Sequence, residues 1–359
     1  MGEDCFSRMV EELKKAERYI FLEYFIIEDG VMWDTILDIL TEKVKAGVDV
    51  RVMYDDIGSM FTLPREYAAE LEKRTGIQCC VFNPFVPILS LRLNNRDHRK
   101  ILVVDGKVAF TGGINLADEY INKKVRFGHW KDSAIMVRGE AAWSMTVMFL
   151  TLWDYTREIF TEDYDVFRPK WERPPKGVGY VQPYTDNPLD GEAVGQSVYL
   201  NLINKARRYV YITTPYLIVD DSMNTALCIA AKSGVDVRIM TPHIPDKKVV
   251  FEVTRAHYDA LLEAGVKIYE YTPGFVHAKN FAVDDKYGTV GTVNMDYRSL
   301  FLHFEDGVWL CGDPTVRDIK ADFLATLEYC QPITLEESRA LPWWRKAYRA
   351  VLRVFAPLM

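Results

Sequence analysis

The sequence predicts an α/β protein built from two like domains side by side, each a sheet with helices on both faces. Three observations carry this expectation. The chain repeats itself once, each copy alternates strand, helix and strand, and the stretch between the copies is rich in proline and charge. A repeat this long means two copies of one domain rather than a short-period solenoid.

The elements follow in order. A helix over Cys5 to Glu17 leads into an apolar strand, Tyr19 to Phe25. A second helix covers Met32 to Lys45 and ends at Gly47, a residue suited to the left-handed conformation that closes a helix. Val48 to Tyr54 is rich in β-branched residues and reads as the next strand. The second copy repeats the series with a helix ending at Lys205, a strand over Tyr209 to Thr213, a helix over Ser222 to Lys232, Gly234, and a strand over Val235 to Met240. Gly47-Val48-Asp49-Val50-Arg51 recurs residue for residue as Gly234-Val235-Asp236-Val237-Arg238. The linker lies at 167–179, which sets the expected domains at 1–168 and 169–340 with a C-terminal helix at 341–359. A strand-like piece at Val178 to Pro183 opens the second copy only, and predicts that the natural protein extends further N-terminally.

Composition narrows the function. Of 359 residues, 49% are hydrophobic and 26% charged, and the net charge of −7 argues against general nucleic-acid binding, which needs a basic face. Six cysteines at 5, 79, 80, 228, 311 and 330 have no metal-ligand or disulfide spacing and read as reduced thiols. No apolar run is long enough to span a membrane.

The chemistry lies in a polar pattern that also occurs twice. The first copy reads His98-Arg99-Lys100, four residues, Asp105, then Gly112 and Asn115; the second reads His277-Ala278-Lys279, four residues, Asp284, then Gly291 and Asn294. Residues two apart on a strand share a face, so each imidazole and ammonium are expected to meet one phosphate. The four mainly apolar residues read as a strand through the core, which leaves Asp105 and Asp284 at turns in structural roles. The glycine-rich return brings backbone amides and an asparagine to the same anion. Asp132 and Glu305, at similar distances downstream, are candidate carboxylates for fixing the histidine tautomers. His243 and His257 lie outside the repeated pattern and read as surface or core; His129 and His303 flank the carboxylates and are open between pocket lining and an ordinary polar role.

This double motif resembles the HxKx4D signature of the phospholipase D superfamily, and the resemblance covers nearly the whole chain. More closely, the chain is similar to bacterial cardiolipin synthases, through Phe21–Ile27 (FLEYFII), Tyr54–Ser59 (YDDIGS), Asn95–Lys100 (NRDHRK), Gly128–Asp132 (GHWKD), Thr214–Tyr216 (TPY) and Asp296–Leu300 (DYRSL). The resemblance implies two pseudo-twofold-related α/β/α sandwiches of the phospholipase D type with one active site at their interface. It implies a phosphohistidine intermediate, with His98 as nucleophile and His277 as acid–base, although the near-symmetry of the motifs does not distinguish them. One imidazole must start neutral and the other cationic. Lys100, Lys279, Asn115 and Asn294 would hold the non-bridging oxygens. The carboxylates would cross between halves, Glu305 to His98 and Asp132 to His277.

The pattern supplies no carboxylate cluster for a metal, so no cofactor is expected. Phosphatidylglycerol and cardiolipin are the expected ligands, and Glu23, Tyr24, Tyr216 and Arg298 are expected pocket residues by their place in the repeat. The alternatives are a hydrolase of the same superfamily, acting on lipid or nucleic acid, and an inactive lipid-binding protein. Bacterial members usually begin with membrane-spanning helices, so the expected location is the bacterial cytoplasmic membrane, with this chain peripheral and the native protein anchored N-terminally. Two segments suit an anionic membrane surface: 342–355, which as a helix puts Trp344, Tyr348, Val351 and Phe355 on one side and Arg345, Arg349 and Arg353 on another, and the proline-rich apolar loop from Val81 to Leu89.

Overall fold

The computed structural model describes residues 2–85, 94–171 and 175–356. Its strands are, in chain order, Tyr19–Tyr24 (β1), Asp49–Asp55 (β2), Gln78–Phe82 (β3), Lys100–Val104 (β4), Val108–Gly112 (β5), His129–Lys131 (β6), Ala134–Arg138 (β7), Tyr180–Asp186 (β8), Tyr209–Thr213 (β9), Asp236–Pro242 (β10), Lys267–Tyr271 (β11), Gly274–Val276 (β12), Asn280–Val283 (β13), Tyr287–Gly291 (β14), Glu305–Cys311 (β15) and Cys330–Ile333 (β16). The first sheet runs β3-β2-β1-β4-β5-β7 and the second β16-β11-β10-β9-β13-β14-β15-β8. In both, three parallel strands continue into antiparallel ones, so the sequence repeat is a topological repeat. The strand-like piece that opens the second copy becomes β8 and pairs antiparallel with β15 at the sheet edge.

Strand β1, Tyr-Ile-Phe-Leu-Glu-Tyr, is buried at every position, as a central strand covered on both faces must be. One cover is the helix Val31–Lys45, which buries Met32, Trp33, Ile36, Ile39 and Leu40 at helical spacing. Gly47 follows it at φ +87°, the left-handed conformation that glycine adopts without strain. The other cover is the helix Glu140–Arg157, whose Met145, Phe149 and Trp153 share a core with Phe21, Ile101 and Val103. Val290, Val308 and Leu310 of the second sheet belong to that same core, so the halves are joined by apolar packing. Parallel pairing of β6 with β12 adds a backbone seam between them.

Asp105 and Asp284 sit in the turns after β4 and β13 at φ +54° and +55°. Asp105 accepts the amides of Glu17, Arg18 and Tyr19 at 2.9, 2.8 and 2.9 Å. Asp284 accepts those of Arg207, Arg208 and Tyr209 at 2.7, 2.9 and 2.9 Å. Each aspartate thus clamps the start of the strand beside its own motif. The six cysteines are free. No described helix is long and apolar enough to cross a membrane.

Candidate active site at the junction of the two halves

Each motif histidine is placed by the opposite half. The His98 amide donates to the Phe304 carbonyl at 2.9 Å, and the His277 amide to the Lys131 carbonyl at 2.8 Å. Phe304 immediately precedes Glu305, and Lys131 immediately precedes Asp132. The register that closes these backbone bonds therefore also sets each carboxylate beside the other half's imidazole. Glu305 lies 2.9 Å from His98 Nδ1 and Asp132 lies 2.8 Å from His277 Nδ1. With Nδ1–H donated to a carboxylate, Nε2 is left as the free ring nitrogen on each histidine.

The histidines stand just ahead of the regular strands rather than within them, since β4 begins at Lys100 and β13 at Asn280. Lys100 turns its ammonium onto the His98 carbonyl at 2.6 Å. Lys279 bonds the His277 carbonyl and approaches His277 Nδ1 at 3.0 Å. Asn115 Oδ1 accepts the Ile26 amide at 3.1 Å, and its Nδ2 donates to the Tyr120 hydroxyl at 2.7 Å. Asn294 donates to Ser299 at 3.0 Å, and its Oδ1 is buried without a partner.

Burial shapes the electrostatics. Burial first, then Lys100, His303, Lys279 and His277, hold His98 well below its usual value. Burial and Lys279 bring His277 to about 4, against the opposing pull of Asp132. Lys100 falls to about 8 and Lys279 to about 7, both mainly through burial. Burial alone would raise Asp132, yet His277 and Lys279 hold it below its ordinary value. Burial raises Glu305 well above its ordinary value, with Lys100 opposing. Burial first, with the lysines adding to it, thus disfavours the cationic form of both imidazoles.

One expected pocket residue is corrected. Glu23 is fully buried and pairs with Arg99 at 2.5 Å, with Asp97 also beside that guanidinium. It lies on the sheet face opposite Lys100, because Tyr24, not Glu23, is the register partner of Lys100. Tyr24, the register partner of Lys100, shares its face and is buried in the same cluster as Tyr120. Tyr216 and Arg298 do lie near the site: Tyr216 packs against the cluster that holds Tyr120, Tyr120 packs against His277, and the His303 amide donates to the Arg298 carbonyl at 2.9 Å.

Of the remaining histidines, His303 belongs to the site, its ring 5.6 Å from that of His98. His129 bonds Tyr271, His243 bonds Glu270, and His257 is buried with Nε2 unpartnered.

Sequence reasoning missed Thr292, whose hydroxyl donates to Glu305, and Trp130, whose indole reaches Asp132 at 3.3 Å. The signal for Thr292 is the non-conservative one of two differences between the repeated return loops, the other being Ile114 against Val293. The counterpart of Thr292 is Gly113, where a Cβ would fall 2.0 Å from Asp132 Oδ1. Ligand atoms of His98, His303 and Glu305 lie within 4.8 Å of one another, a spacing one metal ion can span. Glu305 already serves His98 and Thr292, so an ion there would compete with the bonds that fix the imidazole.

A sequence profile described as "Cardiolipin synthase, PLD-like domain" matches residues 9–140 and 199–327. The chain belongs to this family. A protein of Streptococcus mutans is 51% identical over 361 residues, a match covering 100% of this chain and 77% of the relative. A cardiolipin synthase of a Geobacillus strain is 40% identical over 361 residues, covering 100% of this chain and 71% of the relative. Among solved structures, phosphatidylserine synthase of Haemophilus influenzae superposes with a TM-score of 0.76 at 15% identity, covering 99% of this chain and 92% of its own. That likeness shows the fold: two phospholipase D-type halves in one chain.

Proposed function

We propose that this protein is a cardiolipin synthase, moving a phosphatidyl group from one phosphatidylglycerol to another and releasing glycerol. The observation that carries the reading is the pair of crossed histidine–carboxylate contacts in one buried site, each with its own lysine. The 37–40% identity to cardiolipin synthases along the whole chain supports the choice of substrate.

His98 Nε2 attacks phosphorus as the P–O bond to the donor's glycerol breaks. His277 gives its proton to that glycerol oxygen. The second lipid's primary hydroxyl then returns a proton to His277, its oxygen bonds phosphorus, and the P–N bond to His98 breaks. His277 suits the acid–base role because ionised Asp132 favours its cation. An arriving phosphodiester anion offsets the lysine field and draws a proton onto it. The lysines hold the non-bridging oxygens. His98 and His277 are only 7% and 8% exposed, which keeps competing water few.

Residues 1–168 and 169–340 act here as the two catalytic domains, with the C-terminal segment as a membrane-facing element. The helix Trp343–Val354 seats two of its arginines inward: Arg345 and Arg349 bond Glu252 at 2.5 and 2.8 Å. Trp344, Tyr348, Val351 and Phe355 face outward, 45–58% exposed. Two of the arginines expected beside anionic lipid are thus held by Glu252, and the aromatic side is the one offered to the bilayer interface. Of the apolar loop that begins at Val81, positions 86–89 lie outside the described residues. The test is the lipid product: purified protein given phosphatidylglycerol should yield cardiolipin and free glycerol, whereas phosphatidic acid alone would mark a hydrolase.

A further inference from the structure

The two motifs are near copies, but the reaction is not symmetric. One substrate lipid presents its phosphorus to the histidines. The other presents a hydroxyl and carries a second phosphate, one glycerol away, that takes no part in bond making. The motif lysines and asparagines serve the first phosphate. The second is a buried anion in need of its own counter-charge.

The repeats diverge where such a charge could be placed. Four residues after Asn115 stands Glu119, 1% exposed and paired with Arg126 at 2.9 Å. Four residues after Asn294 stands Arg298, half-buried, with no ion pair or side-chain hydrogen bond among the described residues. Lys247 joins it, lying 5.6 Å over the Tyr216 ring and likewise without a carboxylate partner among the described residues. Both cations are close enough to His303 and Asp296 to shift their protonation. Both nitrogens of the His303 imidazole are buried without a hydrogen-bond partner, and its ring lies 5.6 Å from that of His98.

The nearby carboxylates already hold partners: Glu305, 3.7 Å from His303 Nδ1, bonds His98 and Thr292. Asp246 accepts the Tyr216 hydroxyl at 2.5 Å, and Asp296 accepts the Ser299 amide at 2.8 Å. A guanidinium, an ammonium and an imidazole without a hydrogen-bond partner, its Nδ1 3.7 Å from Glu305, thus lie together on the second-half side of the site. A phosphodiester oxygen matches all three as an acceptor.

We propose that Arg298, Lys247 and His303 form a second phosphate subsite that holds the phosphate of the acceptor phosphatidylglycerol and so directs its hydroxyl, rather than water, to the phosphohistidine. The inference rests on the synthase reading. It gives the two halves distinct duties: chemistry is shared, while acceptor recognition belongs to the second.

The test uses the full chain with phosphatidylglycerol as donor and ethanol as a competing acceptor that carries no phosphate. Cardiolipin and phosphatidylethanol then form from one phosphohistidine, and their ratio cancels any general loss of folding or turnover. In Arg298→Gln and Lys247→Gln the ratio of cardiolipin to phosphatidylethanol should fall about tenfold, the scale of a lost charge-assisted bond, with a higher KM for phosphatidylglycerol. Arg298→Lys should restore part of the ratio. A ratio unchanged in both glutamine variants overturns the subsite. Wild-type protein that yields phosphatidylethanol and phosphatidic acid but no cardiolipin contradicts the synthase reading itself, and the subsite with it.

Discussion

Replacing Glu305 by glutamine removes its ionisable oxygen while keeping the shape, and the surroundings set the size of the effect. The carboxylate is 0% exposed and lies 3.0 and 2.9 Å from His98 Nδ1 through its two oxygens. Thr292 donates to one of them, but the Asp306 carbonyl lies 3.0 Å from the same hydroxyl. In the variant, Thr292 can turn its proton to Asp306 and accept the new amide group. The glutamine oxygen then stays on His98, and the tautomer survives. What is lost is the charge that ionised Glu305 lends to one buried hydrogen bond, about 1.5–3 kcal/mol, or roughly 10- to 150-fold in turnover. With Thr292→Val added, nothing orients the amide, and the loss should approach the ~10⁴-fold known when an orienting aspartate becomes asparagine and the wrong tautomer results. Single-turnover formation of the phosphorylated enzyme is the assay, because Glu305 serves the attacking histidine. Unchanged rates in Glu305→Gln would refute the reasoning.

Other expectations follow from the same geometry. Lys279 and Lys100, lowered to about 7 and 8, carry their charge below those values and lose it above them. The kcat/KM profile should therefore decline as pH rises from 7 to 8, well short of ordinary lysine behaviour, and a profile flat to pH 9 would remove them from phosphate binding. Arg96 forms a fork with buried Asp55 at 2.9–3.0 Å, and burial already pushes that carboxyl to about 6. Arg96→Met should cost about 3–5 kcal/mol in denaturant unfolding, with part recovered on adding Asp55→Asn. Trp344→Glu should weaken cosedimentation with phosphatidylglycerol vesicles about tenfold, the scale of one aromatic removed from an apolar interface.

The site was legible because its logic is repetition. His98, Lys100 and Asn115 recur at fixed spacing as His277, Lys279 and Asn294, and chance does not align strand periodicity with phosphate chemistry twice. What the sequence concealed depends on partners far along the chain. Glu23 sits next to Tyr24 in a stretch buried throughout, and only the register of β1 against β4 shows that it faces Arg99 and not the site. The C-terminal helix is amphipathic in either orientation, and Glu252, 93 residues before Arg345, decides that Arg345 and Arg349 turn inward. Thr292 was hidden in a motif position where its counterpart is glycine. Its role exists only because Glu305 needs a second donor while Asp132 leaves no room for a Cβ.

The most direct measurement is incubation of purified protein with phosphatidylglycerol in mixed micelles containing chelator, with lipids and glycerol resolved by mass spectrometry. The account predicts cardiolipin and glycerol in equal amounts, abolished by His98→Ala and by His277→Ala. Phosphatidic acid without cardiolipin, or full activity in either alanine variant, would contradict it.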